Sequence, residues 1–142
     1  MIGPLTPLKG QDLFLEAAKR VLNYIPSSRF VIVGTNFYKT ESQLNYEKGL
    51  RLKANRVPLK DHVIFLGFRD DIPSVLSMLD VFVQPNRGPE GLGMSILESM
   101  ACGVPVIAVN RWGPAEIIQN GETGILVPRM DIEGLTEKMI QL

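Results

Sequence analysis

The sequence predicts an α/β domain, a parallel sheet with helices on both of its faces. Two observations carry that prediction. Short apolar runs alternate with stretches of helical periodicity, and the runs are apolar almost throughout rather than at every second residue. Strands of that kind are buried on both sides, as βαβ units require. With 142 residues, the chain is long enough for one domain with a real core and too short for two comfortable ones. Residues 1–142 therefore read as a single unit.

The first element is a helix over residues 11–24, where Leu13, Phe14, Ala17, Ala18, Val21 and Leu22 share one stripe. A strand follows at 30–33 and a helical pattern at 41–55. The second strand, 63–66, leads to a short helix over 72–78. Asp70 and Asp71 precede that helix and read as its N-terminal cap, not as a metal site. The third strand is 81–83, followed by a helix over 93–101. The fourth is 105–109. Behind it Pro114, preceded by Gly113, suits a first helical position, and Asn120-Gly121 stops that helix near residue 119. A shorter strand is expected at 125–127, and a last helix from 132 to the end.

Composition removes several classes of function. Fifteen basic residues balance fifteen acidic ones, so no global field favours nucleic acid or an anionic membrane. A single cysteine, Cys102, excludes a disulfide framework and reads as a buried, inert thiol. No apolar stretch approaches a membrane span and no signal peptide is visible, which makes a cytoplasmic domain the expectation. No His, Cys or carboxylate cluster has metal-ligand spacing. The lone histidine, His62, precedes a strand and reads as a surface or strand-entry residue.

In open sheets of this kind ligands sit beyond the carboxyl ends of the strands. The segments to inspect are Gly34-Thr35-Asn36, Gly67-Phe68-Arg69, residues 84–90, and Asn110-Arg111-Trp112-Gly113. The third of these leads into the most informative stretch, Glu90-Gly-Leu-Gly-Met-Ser-Ile-Leu-Glu98. A strand, a glycine-rich turn and a helix in succession present backbone N–H groups to an anion. Two glutamates bracket that turn. Eight helical residues rise about 12 Å, too far for the pair to act on one bond. The spacing suits two contacts on one long polar ligand, such as the hydroxyls of a nucleotide sugar. Glu98 lies among apolar Ile96, Leu97 and Met100, so it is expected near buried surface, needing donors. Lys9-Gly10 opens the first helix, where a cation could hold a diphosphate or simply be a loop lysine. Trp112 could stack on a ligand or cover the rim of the sheet.

Two sharper motifs fail. Gly91-Leu-Gly93-Met-Ser-Ile96 has isoleucine where a dinucleotide fingerprint needs its third glycine. Gly93-Met-Ser95-Ile-Leu97 lacks the closing glycine of a nucleophile elbow, and His62 is at the wrong end of the sheet to serve it.

Blocks along the whole chain resemble the donor-binding domain of family 4 retaining glycosyltransferases, the group 1 type. They are Glu90-Gly-Leu-Gly with Glu98, Ala101-Cys-Gly-Val-Pro-Val-Ile-Ala108, Gly113-Pro-Ala-Glu-Ile117 and Gly121-Glu-Thr-Gly-Ile-Leu-Val-Pro128. Pro7-Leu-Lys9-Gly10, Val63-Ile-Phe-Leu-Gly67, Ile72-Pro73 and Asp80-Val-Phe-Val83 agree with them. The resemblance implies a GT-B enzyme of two Rossmann-like domains with the active site between them. This chain then corresponds to most of the C-terminal domain, truncated at both ends, and the acceptor-binding N-terminal domain is missing.

Carried over by position, the resemblance makes Glu90 and Lys9 the catalytic residues, Glu90 on the transferred sugar and Lys9 on the diphosphate leaving group. It assigns donor binding to Glu98 on the ribose, to the backbone at Leu92, Gly93 and Met94, and to Gly67, Phe68 and Arg69, the latter three beside the base. It implies transfer of a hexose with retention, from a nucleotide-diphosphate sugar to a saccharide or lipid-linked acceptor, without a metal or other cofactor. Family members carry an arginine shortly before the lysine, in a Gly-Arg-Leu step. Here the step is Gly3-Pro4-Leu5, so half of the cationic clamp is absent. The isolated chain is expected to bind donor weakly and catalyse nothing, and its truncated sheet to self-associate. A sugar-nucleotide 2-epimerase domain and a non-catalytic binding or assembly module are the alternatives.

Overall fold

Apolar runs become strands and amphipathic stretches become helices in the order read from the sequence. The computed structural model describes residues 1–36, 38 and 40–142. Its strands are β1 (Phe30–Val33), β2 (Val63–Gly67), β3 (Phe82–Gln84), β4 (Val106–Val109) and β5 (Ile125–Val127). The helices are α1 (Gln11–Val21), α2 (Glu41–Ala54), α3 (Ile72–Leu76), α4 (Met94–Ala101), α5 (Trp112–Ile117) and α6 (Ile132–Gln141). A 3-10 turn at Pro7–Lys9 was not foreseen. Most other differences lie at element ends, where capping sets the boundary. The largest is at α1, which ends at Val21 rather than residue 24, and α5 begins two residues before Pro114.

Every strand pair is parallel. The ladder falls into two pieces, β1–β2 and β3–β4–β5. Residues 1–3 extend the first piece: Ile2 bridges Val33, the Val33 amide donates to the Met1 carbonyl at 3.0 Å, and the Gly3 amide donates to the Val33 carbonyl at 2.9 Å. Near Met1, a cavity of about 470 Å³ is lined by Phe30 and Val31 on one side and Val81 and Val83 on the other.

The two faces of the sheet carry separate cores. Successive strand side chains point to opposite sides, so Val83, Ile107 and Val127 join one core while Phe82, Val106 and Ala108 join the other. The first core is closed by Phe14, Ala17 and Ala18 of α1 and by Leu135 and Met139 of α6. Phe14 meets Phe30 edge-on at 5.9 Å between ring centroids. The second is closed by Leu76 of α3 and Ile96 of α4. Helices thus cover both faces, as the apolar strands required.

Three expectations need correction. The strand at 63–66 is not fully buried, because β2 is an edge strand whose Ile64 is 42% exposed. Cys102 is exposed, since the chain leaves α4 at that residue and turns outward before β4. Asp71 occupies the N-cap position of α3 without a side-chain capping bond, because the Arg69 guanidinium donates to both its oxygens, at 2.7 and 2.6 Å. Among the described residues no helix is long and apolar enough to cross a membrane.

Candidate functional site

The chain leaving β3 and the chain leaving β4 meet at Glu90. Glu90 follows β3 on a loop, and Lys9 sits at the end of the 3-10 turn, 81 residues away in sequence. Their side chains form an ion pair, with Lys9 Nζ donating to Glu90 Oε2. Close backbone approach makes this meeting possible. Gly10 has φ 73°, and a Cβ there would lie 2.2 Å from the Pro85 carbonyl oxygen. Only glycine lets the start of α1 rest on the β3 loop in that way. Gly113 plays the same part on the other flank. Its amide donates to the Glu90 carbonyl at 3.1 Å, and an added Cβ would fall 1.5 Å from the Gly91 carbonyl oxygen.

The same Glu90 oxygen accepts two more hydrogen bonds, from Gln84 Nε2 at 2.8 Å and Asn86 Nδ2 at 2.7 Å. Gln84 and Asn86 are each 1% exposed. Burial pushes the Glu90 carboxyl up, but the bonds from Lys9, Asn86 and Gln84 outweigh it and hold the group below its ordinary value. Sequence reasoning marked residues 84–90 for inspection but gave Gln84 and Asn86 no role. The signal was a polar residue closing an otherwise apolar strand.

Behind the loop, Arg87 ties it to α1. Its Nη2 donates to Asp12 Oδ2, and its Nε donates to Asp12 Oδ1 at 3.2 Å. Tyr46 of α2 also donates to Asp12, at 3.2 Å. Burial would raise the Asp12 carboxyl, yet Arg87 and Tyr46 leave it below its ordinary value. Arg87 is therefore engaged with Asp12 rather than with Glu90.

α4 begins at Gly93, in a left-handed N-cap with φ 65° and no side-chain capping bond. The first-turn amides of a helix have no intrahelical acceptor, and here no side chain supplies one. Leu92 and Met94 are exposed beside that end. Glu90 adjoins it, its Cγ 3.7 Å from where a Gly93 Cβ would stand. An uncapped helix start beside an ammonium group suits an anion.

Glu98 differs from expectation. It is exposed, with no side-chain hydrogen bond or ion pair among the described residues. Ile96 is fully buried and turns the opposite way, so Glu98 meets solvent on the other side of α4. Gly67, Phe68 and Arg69 form a separate part of the rim, Phe68 63% exposed and Arg69 paired with Asp71. The structure thus joins Lys9 to Glu90, which adjoins the turn at Gly93, and leaves Glu98 exposed and the 67–69 segment apart from them. Trp112 is half-buried with φ 55°, and the Arg111 guanidinium stands 5.7 Å from its ring. Among the described residues no group of three or more His, Cys, Asp or Glu could hold a metal ion.

Comparison with known proteins identifies the family and the fold. A family model described as glycosyl transferases group 1 aligns with residues 1–142. The chain is 35% identical over 144 residues to an Escherichia coli UDP-Gal:alpha-D-GlcNAc-diphosphoundecaprenol alpha-1,3-galactosyltransferase, covering 100% of this chain and 35% of that protein. It is 34% identical over 140 residues to a Mycolicibacterium smegmatis GDP-mannose-dependent phosphatidylinositol monomannoside mannosyltransferase, covering 93% of this chain and 35% of that one. The chain thus spans about a third of the length of these curated relatives. Among solved structures, Anabaena HepE in complex with UDP and glucose superposes with a TM-score of 0.88 at 29% identity, over 99% of this chain and 37% of that one. The C-terminal domain of the Francisella tularensis protein LpcC superposes with a TM-score of 0.87 at 32% identity, over 99% of this chain and 72% of that one.

Proposed function

The chain belongs to the glycosyl transferases group 1 family, and on that premise we propose that it binds the nucleotide-diphosphate sugar from which a longer enzyme transfers a hexose. Its fold is that of the C-terminal domain of GT-B glycosyltransferases. One observation carries the reading. Lys9 and Glu90, distant in sequence, meet beside the uncapped start of α4. That arrangement offers a cation and backbone donors to a diphosphate, and a carboxylate to sugar hydroxyls.

In this reading Lys9 and the amides at Leu92, Gly93 and Met94 neutralise the charge that develops on the departing diphosphate. Glu90 accepts hydrogen bonds from the transferred sugar. Glu98, free of protein partners, takes the ribose hydroxyls from solvent's place, and Gly67, Phe68 and Arg69 border the base. UDP bound in HepE supports a uridine nucleotide as the first ligand to try. The acceptor, a saccharide or a lipid-linked sugar, binds on a second domain of the longer enzyme, and transfer proceeds with retention and without a metal. Pro4 stands where the family carries an arginine, and its carbonyl is taken by Gln11 Nε2 at 2.8 Å. With Arg87 engaged by Asp12, leaving-group stabilisation rests on Lys9 and the helix start.

Thermal unfolding against UDP, GDP and ADP tests the reading, with Glu98→Ala measured alongside. Ligand at 100 times its dissociation constant adds about 2.7 kcal/mol, a midpoint shift of roughly 3–6 °C at this size. One nucleotide should stabilise the wild type. The exposed Glu98→Ala should melt within about 0.5 kcal/mol of it without ligand and lose the shift. No shift with any of the three would refute donor binding by this chain.

A further inference from the structure

Three donors share a single oxygen of Glu90, and they differ in kind. Lys9 is a charged, flexible side chain, 23% exposed, whereas Gln84 and Asn86 are neutral amides sealed in the fold. We propose that Gln84, Asn86 and Ser95 are positioning residues that keep Glu90 a fixed carboxylate without help from Lys9, so that Lys9 is free to leave it for the diphosphate. The destination of Lys9 rests on the donor-binding reading above. The hold on Glu90 does not.

The hydrogen-bond directions support the proposal. An ionised carboxylate only accepts, so the amide NH2 groups of Gln84 and Asn86 must face it. Gln84 Oε1 then points away and accepts from Ser95 Oγ at 3.0 Å, in the first turn of α4. Ser99 in turn donates to the Ser95 carbonyl at 2.6 Å. The chain from α4 through Gln84 to Glu90 thus fixes the carboxylate relative to the helix start. Asn86 holds its direction although its Oδ1 is buried with no partner. A carboxylate that commands the NH2 explains that orientation.

The need for such a hold follows from burial. The Glu90 side chain is 14% exposed. Were Lys9 its only partner, departure of the ammonium would leave a largely desolvated carboxylate, which takes up a proton. Two remaining bonds to a charged acceptor, each stronger than a neutral one, prevent that. Lys9, from the 3-10 turn, is the one charged group bonded to Glu90 among the described residues. Arg87 on the same loop faces Asp12 of α1, and α4 brings no acidic residue in its first turn.

Carbon-13 NMR titration of the Glu90 carboxyl, assigned against Glu90→Gln, decides the matter. In Lys9→Met the midpoint should stay at or below the ordinary 4.5. In Lys9→Met with Gln84→Met and Asn86→Leu it should rise above 4.5. Lys9→Met with Ser95→Ala, which keeps both amides, guards against loss of folding in the triple variant and should also raise the midpoint relative to Lys9→Met. A midpoint already above 4.5 in Lys9→Met alone, or one that ignores loss of the amides and of Ser95, would overturn the proposal. No nucleotide enters this experiment, so failure of donor binding and failure of the hold on Glu90 are read separately.

Discussion

Glu90 and Asp12 are both carboxylates whose folded forms gain more from donors than burial costs them. That has a defined consequence for acid stability. Each folded carboxyl titrates below its unfolded value, so the unfolded chain binds more protons as pH falls. Their contribution is complete above the ordinary values of 4.5 and 3.8 and is lost as pH drops through the depressed folded values. Urea unfolding from about pH 6 down to about pH 3 should show that decline. Arg87→Leu should lower stability at neutral pH by about 1–2 kcal/mol, between exposed and buried pairs, and flatten the acid dependence belonging to Asp12. An unchanged pH profile in Arg87→Leu would show that the pair contributes nothing.

Between elements, the site depends on how closely backbones approach. α5 docks on the 90–93 turn because Gly113 has no side chain, and the start of α1 docks on Pro85 through Gly10. Gly113→Ala places a carbon 1.5 Å from a carbonyl oxygen, so either α5 or the turn must shift. The expected cost is about 1–3 kcal/mol, as for other forced overpacking. Displacement of the turn should also weaken UDP binding at least tenfold, read by calorimetry. Destabilisation with intact affinity would mean that α5 alone moves and that the turn is set by other contacts. The rim glycines were visible in the sequence, but their partners were not. Gly91 and Pro85 are neighbours of Gly113 and Gly10 only in the folded chain.

For the molecule as a whole, the sheet is two ladders, β1–β2 and β3–β4–β5. β3 pairs only with β4 among the described residues, and the cavity near Met1 lies between Val83 and Phe30. An unpaired strand edge beside a cavity is a template for another chain. We therefore expect the 142-residue chain to self-associate, with a sedimentation coefficient that rises with concentration. A monomer across about two decades of concentration would show that the edge is adequately covered by residues 1–3.

How much was legible in advance follows from the range of the forces. Near-continuous apolar runs fix strands buried on both faces, and 3.6-residue stripes fix helices, because each pattern is set by neighbours a few residues away. The order of elements along the chain, the parallel sheet, the covering helices and the Glu90-Gly-Leu-Gly93 turn were all readable on that basis. The exposure of Glu98 was not, since it depends on which side of α4 faces the core, and that is decided by Ile96 against β3 and β4. Nor was the convergence of Lys9, Gln84 and Asn86 on one oxygen of Glu90. A lysine and a glutamate 81 residues apart become partners only when tertiary packing sets the 3-10 turn on the β3 loop, and their meeting withdraws a charge from water at a place no local pattern encodes.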